Sequence, residues 1–209
     1  MLKSQYVAVD GFDGSGKTTL INEMRRNLTE AGKRVAVERL LPITVGLFKQ
    51  FTRGTNDYMN IIPDRFRVTA YLWESYCRLI LLNETYRNND YIFFDRWIFT
   101  NLVSNIEWGE EADFIEFLID SIPKPDTVLL VVTDPDIILC RLKAKNDWML
   151  KSYSEKEIIR QAEQFYKGYM KQLEMRSIEY HIINGDGSKA AMVRQAQRCL
   201  DLRGIKGNE

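Results

Sequence analysis

The chain has 209 residues, 45% of them apolar and 28% charged, an ordinary composition for a folded domain with a sizeable core. Lys plus Arg and Asp plus Glu both total 29, so the formal net charge is zero and no global basic field exists to gather nucleic acid or an anionic membrane. The three cysteines, Cys77, Cys140 and Cys199, are far apart and odd in number, which excludes a disulfide framework and a CxxC metal site and favours a reducing compartment.

Five short apolar runs, 6–9, 35–37, 91–94, 128–132 and 181–183, are bounded by Asp, Gly, Pro or Asn and fit parallel strands buried on both faces. Between them lie segments of helical spacing. A helix is predicted over 17–31, closed by Gly32. Further helices are expected over 62–88, 112–119, 135–145, 154–175 and 188–202, the fourth of these opening with the capping-box pattern Ser154-x-x-Glu157. The tail 203–209 is polar and expected to fray. Strands alternating with helices imply one α/β domain over 1–209: a parallel sheet with helices on both faces and ligands at the carboxyl ends of the strands. No run approaches the ~18 apolar residues of a membrane span. The first five residues carry no signal-peptide core, so a cytoplasmic protein without a membrane partner is expected.

Directly after the first strand stands Gly11-Phe12-Asp13-Gly14-Ser15-Gly16-Lys17-Thr18, the complete G-x-x-x-x-G-K-[ST] phosphate loop between a strand and a helix. Gly14 and Gly16 let backbone N–H groups close around phosphate oxygens. Lys17 supplies a point charge, Thr18 a hydroxyl for Mg²⁺, and the following helix its positive dipole end. A second candidate, Asp95-Arg96, ends the third strand. A carboxylate there suits a Mg²⁺-linked role, and the guanidinium suits bidentate capture of another phosphate. The alternative is a structural ion pair. A third candidate is 141–148, where Arg141, Lys143 and Lys145 could close over phosphates as a lid spanning about 141–153, or form a solvated helix end.

This pattern resembles the thymidylate kinase family of nucleoside monophosphate kinases. Gly11 to Thr19 follows the family loop G-x-[DE]-G-[SA]-G-K-[ST]-T throughout, including the acidic Asp13, and Asp95-Arg96-Trp97 resembles its D-R-Y/H/S element, with Thr100 where Ser is frequent. The 128–141 run resembles the segment leading into the family lid, Phe165, Tyr166 and Tyr169 its post-lid helix, and 183–188 the turn that touches adenine. The resemblance implies a three-layer P-loop kinase fold, ATP and Mg²⁺ as cofactors, and a nucleoside monophosphate, dTMP, as substrate. ATP would be held by Gly11, Asp13, Gly14, Ser15, Gly16, Lys17, Thr18 and Thr19, with Arg141 and Asp186 at the adenine and Thr18 and Asp95 at the metal. Asp13 would touch the acceptor sugar or the metal's water shell, Arg96 the acceptor phosphate, and Lys143 or Lys145 the transferring group. A homodimer, through the 62–88 helix, is implied by the resemblance alone.

The departures cluster on the acceptor side. The family's T-R-E-P-G-G-T is replaced by Glu38-Arg39-Leu40-Leu41-Pro42, and its aromatic–Ala–Asp–Arg stretch has no clean match among Tyr71, Trp73, Glu74 and Arg78. Glu38, Arg39, Trp73, Arg78 and Trp97 join Asp13 and Arg96 as acceptor-side candidates, Trp73 and Trp97 by stacking on a base. Three readings therefore stand: a nucleoside monophosphate kinase, a deoxynucleoside kinase with Glu38 as general base on a 5′-hydroxyl, and a P-loop switch or ATPase module. The lone His181, within an apolar strand, reads as structural. Trp108 and Trp148 read as packing residues, and Asp113 and Glu116 as solvated helix surface.

Overall fold

In the computed structural model, residues 4–54, 56–81, 88–103 and 112–200 are described. Five strands, β1 (Gln5–Asp10), β2 (Val35–Glu38), β3 (Tyr91–Asp95), β4 (Thr127–Val132) and β5 (Tyr180–Asn184), form one all-parallel sheet in the order β2-β3-β1-β4-β5. All five apolar runs are strands, each extended by one or two residues. Their near-continuous hydrophobicity follows from burial on both faces. Val7, Val9, Phe93, Leu129, Val131 and Ile183 meet helices α1 (Lys17–Glu30) and α9 (Lys189–Cys199) on one side. On the other, Ala8, Ile92, Phe94, Val128 and Leu130 meet α4 (Asp64–Leu81), α5 (Ala112–Ser121), α6 (Pro135–Ala144) and α8 (Glu155–Met175). The α/β class with helices on both faces is thus the fold observed.

The helix boundaries have local causes. Gly32 takes φ 78, the left-handed conformation that closes α1. The Ser154 hydroxyl accepts from the Glu157 N–H, while the Glu157 carboxylate accepts from the Ser154 N–H at 2.8 Å, completing the expected capping box of α8. The helix expected over 62–88 starts two residues later. Ile62 precedes Pro63 and is extended, at φ −87 and ψ 123, as a residue before proline favours. Its continuation beyond Leu81, the tail 203–209 and Trp108 lie outside the described residues. Three helices are additions to the sequence reading: α2 (Pro42–Phe51), α3 (Tyr58–Ile61) and α7 (Met149–Ser152). A 3₁₀ segment, Ile98–Leu102, also follows β3.

Because β1 lies between β3 and β4, the loops leaving β1 and β3 open side by side on the carboxyl edge of the sheet. The Asp-Arg turn after β3 thus stands beside the phosphate loop after β1, although 85 residues separate Gly11 from Arg96. No helix among the described residues is long and apolar enough to cross a membrane.

Candidate active site

The phosphate loop runs from Gly11 to α1. Gly11, Gly14 and Gly16 take φ 152, 82 and 109. A Cβ on Gly11 would stand 2.4 Å from the Val131 carbonyl oxygen, so close packing on β4 as well as backbone conformation calls for glycine. Gly16 is the N-cap of α1, and no side chain caps that helix. Its first N–H groups thus lack the side-chain partner that usually occupies them, which is the arrangement an anion uses.

Lys17 is almost fully buried. Its ammonium donates to the Phe12 carbonyl at 2.9 Å and lies 3.8 Å from the Asp13 carboxylate. Burial, then the neighbouring Arg96 guanidinium, pushes the lysine down to about 8, against the opposing pull of Asp13, Asp10 and Asp95. Arg96 adopts φ 78, donates to the Gly11 carbonyl at 3.2 Å and to the Asp13 carboxylate, and stands 3.5 Å from Asp10. Burial alone would raise the Asp13 carboxyl, but Arg96 and then Lys17 hold it below the ordinary carboxylate range. Burial likewise works against the Arg96 charge, and Asp13, Asp10 and Asp95 overcome it, so its pKa lies above the usual value.

These groups border a cavity of about 500 Å³. Asp13, Gly14, Lys17, Thr18, Thr19, Arg39, Asp95, Arg96, Trp97 and Lys145 line it, all singled out in the sequence. The rest of its wall comes from Leu40, Leu41 and Thr100, which lie in or beside the motifs compared above, Leu142 and Asp147 within the lid candidate, and four residues the sequence did not mark: Val45 on α2, Ser75 on α4, and Ile98 and Asn101 of the 3₁₀ segment. Glu74 positions this wall. Its buried carboxylate accepts from the Ile43 and Thr44 N–H groups at 2.9 and 2.7 Å, capping α2 from α4.

Several acceptor-side candidates sit elsewhere or act differently. Trp73 is on the exposed face of α4, stacked on Tyr76 and outside the cavity lining. Trp97 is 1% exposed and meets Phe94 edge-on at 4.8 Å, so its ring packs in the core at the edge of the cavity that the residue helps line. Glu38 and Arg78 pair with each other at 3.3 Å, and neither lines the cavity. Arg39 does line it and pairs with Asp95 at 3.1 Å.

The lid region divides the same way. Lys145, at the end of α6, lines the cavity, whereas Lys143 pairs with Glu155 at 2.6 Å and does not. The Arg141 guanidinium donates to the carbonyls of Gly14, Ser15 and Gly185, at 3.2, 3.1 and 2.8 Å, tying α6 to the phosphate loop and to the turn after β5. Asp186 in that turn accepts from the Asp134 N–H at 2.8 Å. His181, on the edge strand β5, stands 3.5 Å from Glu179, which precedes the strand, and is two strands removed from β1, consistent with a structural residue. Asp113 and Glu116 are exposed on α5, and Glu116 pairs with Arg176 at 3.0 Å.

The donor set fits a nucleotide–Mg²⁺ pair. Thr18 and Asp95 line one cavity with Lys17, and the uncapped start of α1 faces the same loop. Among the described residues no cluster of three or more His, Cys, Asp or Glu could hold a metal by itself. One hydroxyl and one carboxylate are the sparse set expected where phosphate oxygens and water complete a Mg²⁺ shell.

No protein-family model matches the chain. It is 24% identical over 195 residues to a probable thymidylate kinase 1 of Saccharolobus solfataricus, covering 93% of this chain and 95% of that protein. A probable thymidylate kinase of Methanobrevibacter smithii is 24% identical, covering 72% of this chain and 76% of its own length. One of Pyrobaculum calidifontis is 26% identical, covering 77% and 80%. The similarity therefore runs through most of the chain, at about a quarter identity.

Proposed function

We propose that the chain is an ATP- and Mg²⁺-dependent nucleoside monophosphate kinase, with dTMP as the acceptor that the relatives' names favour. The observation that carries this reading is the convergence of two cationic centres on one cavity. Lys17 in the phosphate loop and Arg96 after β3 both approach the same oxygen of the Asp13 carboxylate, Oδ1. Lys17 and the loop N–H groups would hold the donor's phosphates, and Arg96 with Arg39 the acceptor's, leaving donor and acceptor to meet above Asp13. Mg²⁺, held by Thr18 and Asp95, would supply charge neutralisation on the donor phosphates. Lys145 from the lid would add positive charge where the transferring phosphoryl group passes.

The deoxynucleoside-kinase reading finds no support in the geometry. Its general base, Glu38, is committed to Arg78 and stands outside the cavity lining. A half-buried second cation such as Arg96 also has little use in a simple P-loop switch. Assembly as a homodimer fits the exposed apolar residues Ile43, Leu47 and Phe51 on α2 and Phe66, Trp73 and Ile80 on α4. Sedimentation would give twice the chain mass, falling to one chain on Phe51→Glu. The function itself is tested with a panel of acceptors at saturating MgATP: dTMP, dUMP, other monophosphates, thymidine and no acceptor. Nucleoside diphosphate formation from a monophosphate is expected. ATP hydrolysis with no acceptor dependence, or turnover of thymidine alone, would overturn the reading.

A further inference from the structure

Asp10, the last residue of β1, has no solvent access, although it immediately precedes the phosphate loop. A carboxylate so placed persists only when its oxygens are well partnered. One oxygen, Oδ1, accepts from the Gly11 N–H at 2.9 Å and faces the Arg96 Nη1 at 3.5 Å. The other, Oδ2, accepts from the Trp97 N–H at 3.0 Å and the Thr100 hydroxyl at 2.6 Å. One hydrogen-bond donor therefore belongs to the phosphate loop and two belong to the segment after β3, which also supplies the Arg96 charge as an ion-pair partner. The fully buried Tyr169 hydroxyl senses the same charge: burial first, then the Asp10 carboxylate, pushes its pKa well above the ordinary phenol value.

Arg96 thus pairs with two carboxylates of opposite character. The Asp13 side chain is 42% exposed and borders the cavity, while the Asp10 side chain is 0% exposed and does not. A phosphate entering the cavity can compete with Asp13 for the guanidinium. It cannot reach Asp10. The arginine also sits at φ 78, a conformation that a non-glycine residue holds only when its surroundings impose it. The Asp10 bond to the Trp97 N–H, immediately after this residue, is part of that imposition.

We infer that Asp10 is the positioning residue of the acceptor-phosphate site: it stays on Arg96 when Asp13 is displaced, and it fixes the Asp-Arg turn in register with the phosphate loop. The inference rests on the proposed function in that Arg96 holds an acceptor phosphate. Asp10 touches neither substrate, so its effect passes through Arg96, and that is what separates it from an ordinary core residue.

The test is a double-mutant cycle on turnover of dTMP, or of whichever monophosphate the wild-type protein phosphorylates. Asp10→Asn keeps the shape but removes the charge. It should raise the acceptor KM about 10-fold, leave the KM for ATP within about threefold, and add less than about threefold to the loss already caused by Arg96→Ala. An equal factor in both backgrounds, or an equal rise in both KM values, would make Asp10 a scaffold residue and overturn the inference. Wild-type protein that turns over no monophosphate would instead overturn the proposed function, a separable result. If Asp10→Asn does not fold, ¹⁵N-arginine spectra of the wild-type protein decide, with Arg96 assigned by Arg96→Lys. Titration with the monophosphate should move the Nη2 resonance, which leaves Asp13, and leave Nη1 in place. Equal movement of both would contradict an anchor on Asp10.

Discussion

The two sides of the cavity are built on different terms. The donor side is a single continuous loop, Gly11 to Thr19, whose conformation calls on its own glycines and on the strand and helix it joins, with Arg141 and Arg96 fastening its carbonyls from outside. The acceptor side is assembled from β2, α2, α4 and the 3₁₀ segment, and is held by side chains that reach between them: Glu74 on the α2 N–H groups, Arg39 on Asp95, Asp10 on the turn after β3. A site made of local backbone geometry tolerates no change in its residue types and so is visible as a motif. A site made of long-range pairings can exchange partners. This is where the chain departs from the T-R-E-P-G-G-T pattern, and on the proposed function it is where acceptor choice would be decided.

If the donor side is the chemical constant, its loss should be the most severe. Lys17→Ala should reduce kcat by on the order of 10²–10³-fold with every acceptor, without loss of thermal stability, because the residue serves phosphate rather than the core and its buried charge is a burden on the fold. Near-wild-type turnover would break the comparison at its strongest point. On the lid, Lys145→Ala should lower kcat about 10-fold, since a cavity-lining cation acts chiefly on closure, while Lys143→Ala, which frees only Glu155, should stay within about twofold. Steady-state kinetics of the two variants side by side reads this split directly.

The acceptor wall should respond in stability as well as activity. Glu74→Ala leaves two N–H groups at the start of α2 without their carboxylate, a loss of about 2–3 kcal/mol by the usual worth of charged hydrogen bonds. A urea denaturation curve should show it, together with a raised acceptor KM and an unchanged KM for ATP. Equal effects on both substrates would mean that the two sides are not separate units.

The smallest effect is on pH. Lys17, lowered to about 8 from the ordinary lysine value, is a group whose charged form the folded protein disfavours. Its burden on stability is fully present below about pH 8 and eases as pH rises from there towards the unfolded lysine value, because the unfolded chain then binds more protons than the folded one. Phosphate binding favours the charged form. Binding of a non-hydrolysable ATP analogue should therefore take up protons near pH 8 and weaken several-fold between pH 7 and pH 9. Calorimetry in buffers of different ionisation enthalpy measures the uptake, and Lys17→Met should abolish it.

The same division explains what was legible in the sequence. The five strands and the phosphate loop were readable because each is specified within a few residues: continuous apolar runs for strands buried on both faces, and glycines where the backbone closes on itself. The capping box at Ser154 and Glu157 was readable for the same reason. α2 was not, since Pro42 and Gly46 punctuate a segment whose first turn is capped from α4, some 30 residues away. Trp97 and Trp73 look alike as candidates for stacking. Only the fold sends one into the core and the other to the surface. Lys143 and Lys145 cannot be told apart until Glu155 is seen to claim the first. Asp10 reads as a strand-ending residue, and its partners at Trp97 and Thr100 become neighbours only when β1 pairs with β3.

The central claim is that the second cationic centre grips an acceptor that already carries a phosphate. Steady-state kinetics of Arg96→Ala and Glu38→Gln, each with dTMP and with thymidine, tests it most directly. The account predicts that Arg96→Ala raises the dTMP KM by about 10²-fold, the scale of a lost bidentate guanidinium–phosphate contact, while sparing the KM for ATP. Glu38→Gln should be nearly silent, and thymidine should not be turned over. Efficient turnover of thymidine with a severe Glu38→Gln defect would contradict it.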